Sequence, residues 1–194
     1  MGGGARLLPA NLRNTMTDVG EQTTQTTRKR VLIAGVGNVL QVDDGFGVEL
    51  ARRLTTMTWP DNIVICETGI GGIHLVHELM AGYDVLIVLD AVDRGRSPGT
   101  VLLIEPEVID VHELGLLDRH DLLADMHLAT PDRAMTVARA LGVLPEKVVI
   151  LGCQPVEINR LGIGLSHVVE HALDVAVIEL LRCLRAMDAF PMAQ

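Results

Sequence analysis

Two adjacent carboxylates, Asp43 and Asp44, lie in the glycine-rich stretch GVGNVLQVDDGFG. The stretch spans Gly35–Gly47 and follows the apolar run Val31–Ala34. A strand, a glycine turn and a helix are typical of a dinucleotide site, in which backbone N–H groups at the helix N-terminus hold phosphate. The GxGxxG fingerprint is incomplete because Leu40 stands where its third glycine would be, and the two carboxylates would repel phosphate. The stretch therefore indicates a site that binds a cation rather than a nucleotide.

A third carboxylate, Asp90, closes the most apolar run of the chain, Val85–Leu89, which predicts a central strand. Asp44 and Asp90 both follow predicted strands, so both should project from the carboxyl edge of a parallel sheet. Two carboxylates at one edge raise each other's pKa unless a cation or donor intervenes, and a metal ion would relieve that conflict. Alternatives stay open: either aspartate of the Asp43–Asp44 pair could cap the following helix, Asp43 more readily, and Asp90 could be a turn residue.

A histidine would supply the third ligand of such a site, and the chain has seven candidates. His127 stands directly before a predicted helix in DMHLATPDRAM, where it could equally be a capping or surface residue. Two carboxylates and one histidine present two hard oxygens and one nitrogen, a set that is borderline for nickel, zinc or iron. The other candidates are His74, His77, His112, His120, His167 and His171. Two pairs among them have helical spacing, His74 with His77 and His167 with His171, and such pairs are more often solvated than metal-bound.

Protease chemistry based on a side-chain nucleophile is not indicated, because the chain has no GxSxG motif and no Ser or Cys beside a plausible base in a recognisable context. The HExxH motif is absent as well. Its three cysteines, Cys66, Cys153 and Cys183, form no CxxC pair, which predicts partly buried apolar residues in a reducing compartment. The formal net charge of −9 argues against nucleic acid or an anionic membrane as a partner, since both attract clustered basic residues.

Length and composition predict one globular domain. The chain has 194 residues, 48% of them hydrophobic, which is enough for a substantial core. It has no secretory signal and no apolar run of about 18 residues, so we expect a soluble cytoplasmic protein. Residues 1–28 are rich in Gly, Thr, Asn and Gln and lack periodicity, which predicts a disordered N-terminal extension before a single α/β domain at residues 29–190.

Strands and helices alternate along that domain, which predicts an α/β three-layer sandwich with a mainly parallel sheet of about five strands flanked by helices. Ligands bind such sheets beyond the carboxyl ends of the strands. Four segments should therefore meet at one edge: Gly35–Gly47, Thr68–Gly72, Asp90 and the loop after Leu151. The predicted strands are Val31–Ala34, Ile63–Cys66, Val85–Leu89, Thr100–Ile104 and Val148–Leu151, and the predicted helices are Gly47–Met57, Ile73–Met80, one capped by Thr130 and ending at Leu141, and one capped by Ser166 and ending near Met187.

With these segments assembled, the sequence resembles the hydrogenase maturation endopeptidases, which process the large subunit of nickel–iron hydrogenases. The resemblance covers most of the chain, from Val31 to Leu184. Its most specific part is GVGNVLQVDDGFGVELARRL, which is similar to the family signature G-[IV]-G-N-x-L-x-x-D-[DE]-G-x-G. Four weaker segments agree with the family in order and spacing: ETGIGGIHLVHEL, VLIVLDAVDRGRSPGTV, MHLATPDRAMTVARALG and ILGCQPVEINRLGIGLS.

The resemblance implies one site that is both catalytic and metal-binding, formed by Asp44, Asp90 and His127, with His120 as a rival for the histidine. It implies that the nickel is supplied by the substrate, so that no permanently bound cofactor is expected. The endopeptidase would remove a short C-terminal extension from the large-subunit precursor after nickel insertion. Supporting roles are implied for Asp43, in the loop, and for three glycines that would shape a groove for the peptide, Gly69, Gly71 and Gly72.

Two mechanisms are compatible with the resemblance. In one, the three ligands share the substrate's nickel, which polarises the scissile carbonyl or a water molecule. In the other, nickel is required only for the precursor to bind, and a carboxylate acts as general base. Three other functions stay open: a self-contained metallohydrolase, a non-catalytic hydrogenase assembly chaperone and a nucleotide-binding module. Recognition of nickel that is bound to a partner protein does not require this chain to form an oligomer, so we expect a monomer.

Overall fold

The computed structural model describes residues 28–111, 115, 130–157 and 159–190. Five strands, four α-helices and a short 3-10 helix follow one another in this part of the chain. The strands are β1 (Val31–Val36), β2 (Ile63–Gly69), β3 (Val85–Ala91), β4 (Val101–Ile104) and β5 (Lys147–Cys153). The 3-10 helix is Val42–Gly45, and the α-helices are α1 (Phe46–Thr55), α2 (Gly72–Leu79), α3 (Pro131–Ala140) and α4 (His167–Ala186).

The sheet is mainly parallel, as the sequence predicts, and β3 is its central strand. The strand order is β2-β1-β3-β5-β4, and only the edge strand β4 runs antiparallel, against β5. Because β2 and β3 lie on opposite sides of β1, the strand order reverses between β1 and β3. At such a reversal a crevice opens beyond the carboxyl ends of the two strands.

Helices cover both faces of the sheet, which confirms the predicted three-layer sandwich. All six residues of β1 are buried, because successive side chains enter opposite cores and each core is closed by helices. Ile33 and Ile87 join the core that includes α1 and α4, whereas Leu32 and Leu86 join the core that includes α2 and α3. Strands that are buried on both faces read as continuous apolar runs, and this is why their positions could be predicted.

The last two described helices begin where they were predicted to begin, but without the predicted capping bonds. Thr130 and Ser166 occupy the N-cap positions of α3 and α4, and Pro131 is the first residue of α3. Neither side chain bonds to the backbone of its helix. The Ser166 hydroxyl instead donates to the carboxylate of Asp43, which lies in the loop after β1.

The predicted N-terminal extension, residues 1–28, lies outside the described residues except for Arg28. The division into an extension at residues 1–28 and a single domain at residues 29–190 therefore stays a prediction. In the described part of the chain, no helix combines the length and the apolar composition that crossing a membrane requires.

We expect Gly47→Ala to destabilise the domain, because α1 crosses the sheet very closely at this residue. A Cβ at Gly47 would lie 2.0 Å from the carbonyl oxygen of Leu89 and 2.4 Å from that of Val36, so the helix would have to move away from the sheet. Overpacking typically costs about 1–3 kcal/mol, and a clash with backbone belongs at the upper end of that range. Thermal unfolding measures the loss. Thr55→Ala, at the exposed end of the same helix, is the control, and an unchanged Tm for Gly47→Ala would contradict the close crossing.

Candidate functional site

A cavity of about 600 Å³ opens at the carboxyl ends of β1 and β3, where the strand order reverses. Asp44 and Asp90 both line it, so the structure brings together the two carboxylates that were predicted to meet. Three of the four expected segments contribute to its wall, and the start of α3 replaces the loop after β5. The lining residues are Val36, Gly37, Asn38, Gln41, Asp44, Ile70, Asp90, Ala91, Thr130, Pro131 and Asp132.

Asp44 is held by the glycine loop and is not a helix cap. It lies inside the 3-10 helix Val42–Gly45, and its Oδ2 accepts a hydrogen bond of 2.8 Å from the backbone N–H of Asn38. Gly37 has a φ of 124°, and a Cβ there would lie 1.9 Å from the carbonyl oxygen of Asp44. Only glycine allows this approach, which explains why the signature needs a glycine at this position.

Asp43 ties the loop to the distant end of the chain. Its side chain is fully buried, and its two oxygens accept three hydrogen bonds. The donors are the N–H of Val156 at 2.8 Å, the N–H of Ser166 at 2.7 Å and the Ser166 hydroxyl at 2.9 Å. The alternative that Asp43 caps the helix is therefore wrong, and its supporting role in the loop is confirmed. The segment after β5 contributes to the site by holding this loop.

The residue between Gln41 and Asp43 is strained. Val42 has a φ of 46°, a conformation that a β-branched residue rarely adopts and that costs about 1–3 kcal/mol. Its side chain is buried, and its N–H donates to the carbonyl of Gly162 at 3.1 Å. The N–H of Gly162 donates in turn to Leu40, so two backbone bonds hold the loop in place. Strain that neighbouring contacts maintain is typical of functional sites.

The electrostatics of the cavity disfavour negative charge. Burial is the main cause that raises the pKa of Asp90 to about 7, followed by the charge of Asp44 and, more weakly, that of Asp132. Burial also raises the pKa of Asp44, although the hydrogen bond from Asn38 opposes this. A cation between the two carboxylates would stabilise the charged form of both. The arrangement is therefore suited to a positively charged ligand.

Asp132 is a third carboxylate at the cavity that was not predicted from the sequence. It lies in the first turn of α3, directly after Thr130 and Pro131, which also line the cavity. The signal that could have found it is its position at a helix start, within the same segment as His127, DMHLATPDRAM. An acidic residue in a first helical turn is common for reasons of helix stability alone, so this signal is weak.

We expect Asp132→Asn to lower the pKa of Asp90, because the charge of Asp132 is one of the causes that raise it. The titration of the Asp90 carboxyl carbon, followed by NMR, should shift to lower pH. The shift should be smaller than that caused by Asp44→Asn, since the Asp44 charge is the larger cause. Equal shifts, or none for both variants, would contradict this electrostatic coupling.

The predicted histidine ligand cannot be placed. His127 and its rival His120 lie outside the described residues, as does His112. Among the residues that the structure describes, no group of three or more His, Cys, Asp or Glu could hold a metal ion. The described part of the predicted ligand set is therefore the pair of Asp44 and Asp90.

A second groove of about 430 Å³ adjoins the cavity and shares Gly37, Asn38 and Ile70 with it. Its wall includes Leu40, whose surface is 57% exposed, and Ile70, which is 68% exposed. Of the three glycines expected to shape a peptide groove, Gly69 lines this one. The other two begin the neighbouring helix, with Gly71 as the N-cap of α2 and Gly72 as its first residue.

The cysteines do not provide a nucleophile. All three are free, and Cys153 and Cys183 are buried. Burial raises the pKa of Cys66 to about 11 and that of Cys153 to about 12, and it raises that of Cys183 as well. A thiol with a raised pKa stays protonated and is a poor nucleophile. The burial of these cysteines agrees with the prediction of partly buried apolar residues.

Comparisons with known proteins point to one family. A family model described as hydrogenase maturation protease matches residues 48–183, from the first turns of α1 to near the end of α4. The chain is 32% identical to the hydrogenase expression/formation protein HupD of Rhodobacter capsulatus over 168 residues, which cover 81% of this chain and 72% of that protein. It is similar to the solved structure of the hydrogenase maturating endopeptidase HybD from E. coli, with 27% identity, a TM-score of 0.64 and coverage of 81% and 93% of the two chains. A hydrogenase 2 maturation peptidase from a Thaumarchaeota archaeon is 32% identical, with a TM-score of 0.58 and coverage of 81% and 99%.

Proposed function

Because this chain belongs to the hydrogenase maturation protease family, we propose that it is an endopeptidase that removes the C-terminal extension of a nickel–iron hydrogenase large-subunit precursor. We further propose that it acts after nickel insertion and recognises the nickel that the precursor carries. The observation that supports this most directly is the pair of Asp44 and Asp90 in one cavity, where burial penalises their negative charge. A cation that arrives with the substrate would remove that penalty.

Asp44, Asp90 and His127 are the proposed ligands of the substrate's nickel. Two carboxylates and one imidazole form a borderline donor set that nickel, zinc and iron can each accept. His127 precedes the cavity-lining Thr130 by three residues, which span at most about 11 Å of chain. His120 precedes Thr130 by ten residues, so the length of chain sets no comparably short limit on its distance from the cavity. For this reason we propose His127 rather than His120 as the third ligand.

The precursor's extension would reach the carboxylates through the second groove. That groove is open, adjoins the cavity, and exposes the apolar side chains of Leu40 and Ile70. Apolar residues of an extended peptide could pack there while the adjoining peptide bond lies beside Asp44 and Asp90. The glycines in the segments Gly35–Gly47 and Thr68–Gly72 leave room for the backbone of the precursor's extension.

Asp90 is the proposed general base if nickel serves only for docking. A carboxyl with a pKa of about 7 can exchange a proton with water at neutral pH, which is what a general base requires. In that mechanism, the ionised carboxylate takes a proton from the water that attacks the scissile carbonyl. If nickel takes part in the chemistry instead, the same residue acts as a ligand and the attacking water is polarised by the substrate's metal. Both mechanisms require Asp90 in its ionised form.

The decisive experiment compares nickel-loaded and nickel-free large-subunit precursor, each mixed with the purified protein, by measuring the mass of the subunit. We expect the extension to be lost only from the loaded precursor, and Asp90→Asn to prevent that loss. Asp61→Asn, which replaces an exposed carboxyl outside the cavity, is the matched control. Binding without cleavage would favour the assembly chaperone, and cleavage of both precursors would favour a metallohydrolase with its own metal.

A further inference from the structure

Two exposed histidines on α4, His167 and His171, contact each other. Neither of them lines the carboxylate cavity. Their Nε2 atoms are 3.3 Å apart, and their ring centroids are 4.4 Å apart with the ring planes at 65°. The two nitrogens are within hydrogen-bond distance, and which of them donates depends on the tautomer of each ring. The pair therefore presents two imidazole nitrogens close together at the surface of the helix.

The separation of the two nitrogens matches that of two ligands on one metal ion. Histidine nitrogens bind Zn²⁺ at about 2.0–2.1 Å, so angles of about 90–110° at the metal place two nitrogens about 2.9–3.4 Å apart. The observed 3.3 Å lies within this interval. A metal ion could thus bind both rings with little rearrangement.

The helix holds the pair in this arrangement. His167 and His171 are one turn apart, and side chains at this spacing are neighbours on a helix surface. The same turns are anchored by Val169 and Ala172, which are buried in the core. The preceding residue, Ser166, is fixed by its bonds to Asp43. Because the backbone is already ordered, metal binding would restrict only the two side chains.

The segment His167–His171 reads HVVEH, which matches the HxxEH motif of one class of zinc peptidases. In that motif two histidines bind zinc together with a further protein ligand, and the glutamate acts on a bound water. Within the described residues, no group of three or more potential ligands includes this pair. The geometry therefore points to metal binding rather than to a second catalytic centre, with Glu170 supplying negative charge in the same turn.

We propose that His167 and His171 form a two-histidine site for a divalent transition-metal ion, with water completing the coordination. Imidazole suits copper, nickel and zinc, and affinities generally peak at Cu²⁺. Magnesium and calcium prefer oxygen ligands and should not bind here. The site is separate from the carboxylate cavity and does not depend on the proposed peptidase function.

Titration calorimetry of the full chain with Cu²⁺, Ni²⁺ and Mg²⁺ tests the proposal, together with the electron paramagnetic resonance spectrum of the copper-loaded protein. The double variant His167→Ala/His171→Ala should lose one equivalent of bound Cu²⁺ and of Ni²⁺. The copper spectrum should lose a component with coupling to two nitrogens. Magnesium should give no heat that differs between the variant and the parent.

Two further variants distinguish this site from others. His77→Ala removes an exposed helical histidine, and Asp90→Asn alters the carboxylate cavity. Both should retain the metal equivalent that the double variant loses. Circular dichroism checks that the double variant is folded, as its exposed positions lead us to expect. Unchanged stoichiometry and affinity for Cu²⁺ in the folded double variant would overturn the proposal, whatever the outcome of the cleavage assay.

Discussion

Asp90→Asn is expected to abolish removal of the C-terminal extension while making the folded protein more stable above neutral pH. The amide can neither hold the substrate's nickel as a carboxylate does nor accept a proton as a base. The folded protein also no longer buries a negative charge. Because the pKa of Asp90 is raised from 3.8 to about 7, the ionised carboxyl opposes folding by up to about 4 kcal/mol at pH 8.

The pH dependence of this stabilisation is a signature of Asp90. Its pKa is higher in the folded state than in the unfolded state, so the cost of ionisation is complete above about pH 7 and vanishes below about pH 4. The gain in the free energy of unfolding should therefore shrink as the pH falls from 8 to 4. Urea unfolding of the parent and the variant at several pH values measures it. Asp61→Asn, at an exposed carboxyl, should show no such trend, and an active Asp90→Asn would exclude both proposed mechanisms.

Asp43→Ala is expected to cause the largest loss of stability among these variants. The substitution leaves the two backbone N–H groups of Val156 and Ser166, and the Ser166 hydroxyl, without their acceptor. Asp43 is fully buried, so these donors face a site away from water, where an unsatisfied donor costs about 1–3 kcal/mol and three of them cost about 4 kcal/mol or more together. For a chain of this size that corresponds to a fall in Tm of about 10 °C.

Two comparisons separate this effect from a general loss of charge. Asp43→Asn keeps the volume and one acceptor oxygen, so its Tm should fall between those of the parent and Asp43→Ala. Asp93→Ala removes an exposed carboxylate that also accepts bonds, from Gln154 and Gly95, and should lower Tm much less because water replaces them. Similar Tm values for Asp43→Ala and Asp93→Ala would show that the buried bonds do not hold the loop.

The fold was predictable because its signals are local. The inner parallel strands β1, β3 and β5 are buried on both faces over most of their length, and each therefore appears as an apolar run between turn residues. The helices carry apolar residues one turn apart. The direction of β4 was not predictable, because a short edge strand has the same composition whether its partner runs parallel or antiparallel. Its direction depends on where the chain re-enters the sheet.

The candidate site was predictable only in part. Asp44 and Asp90 could be paired in advance because general rules of parallel sheets place strand ends at one edge. Asp132 could not, since its approach to Asp90 depends on how α3 packs against the sheet. The spacing of His167 and His171 allows them to contact each other, yet many pairs with this spacing are solvated and make no contact. Only their side-chain geometry distinguishes the two cases.

The amino-acid sequence alone determined the α/β class, the positions of the strands and the two carboxylates at the sheet edge, because burial and helical or strand periodicity are properties of neighbouring residues. The tertiary structure alone decided what Asp43 does. Its partners lie 113 and 123 residues further along the chain, and no local pattern reports a hydrogen bond over that distance. The same holds for the raised pKa of Asp90, whose causes are burial and the charges of Asp44 and Asp132. Such properties arise from the distances between side chains, and these exist only once the sheet and its helices have packed.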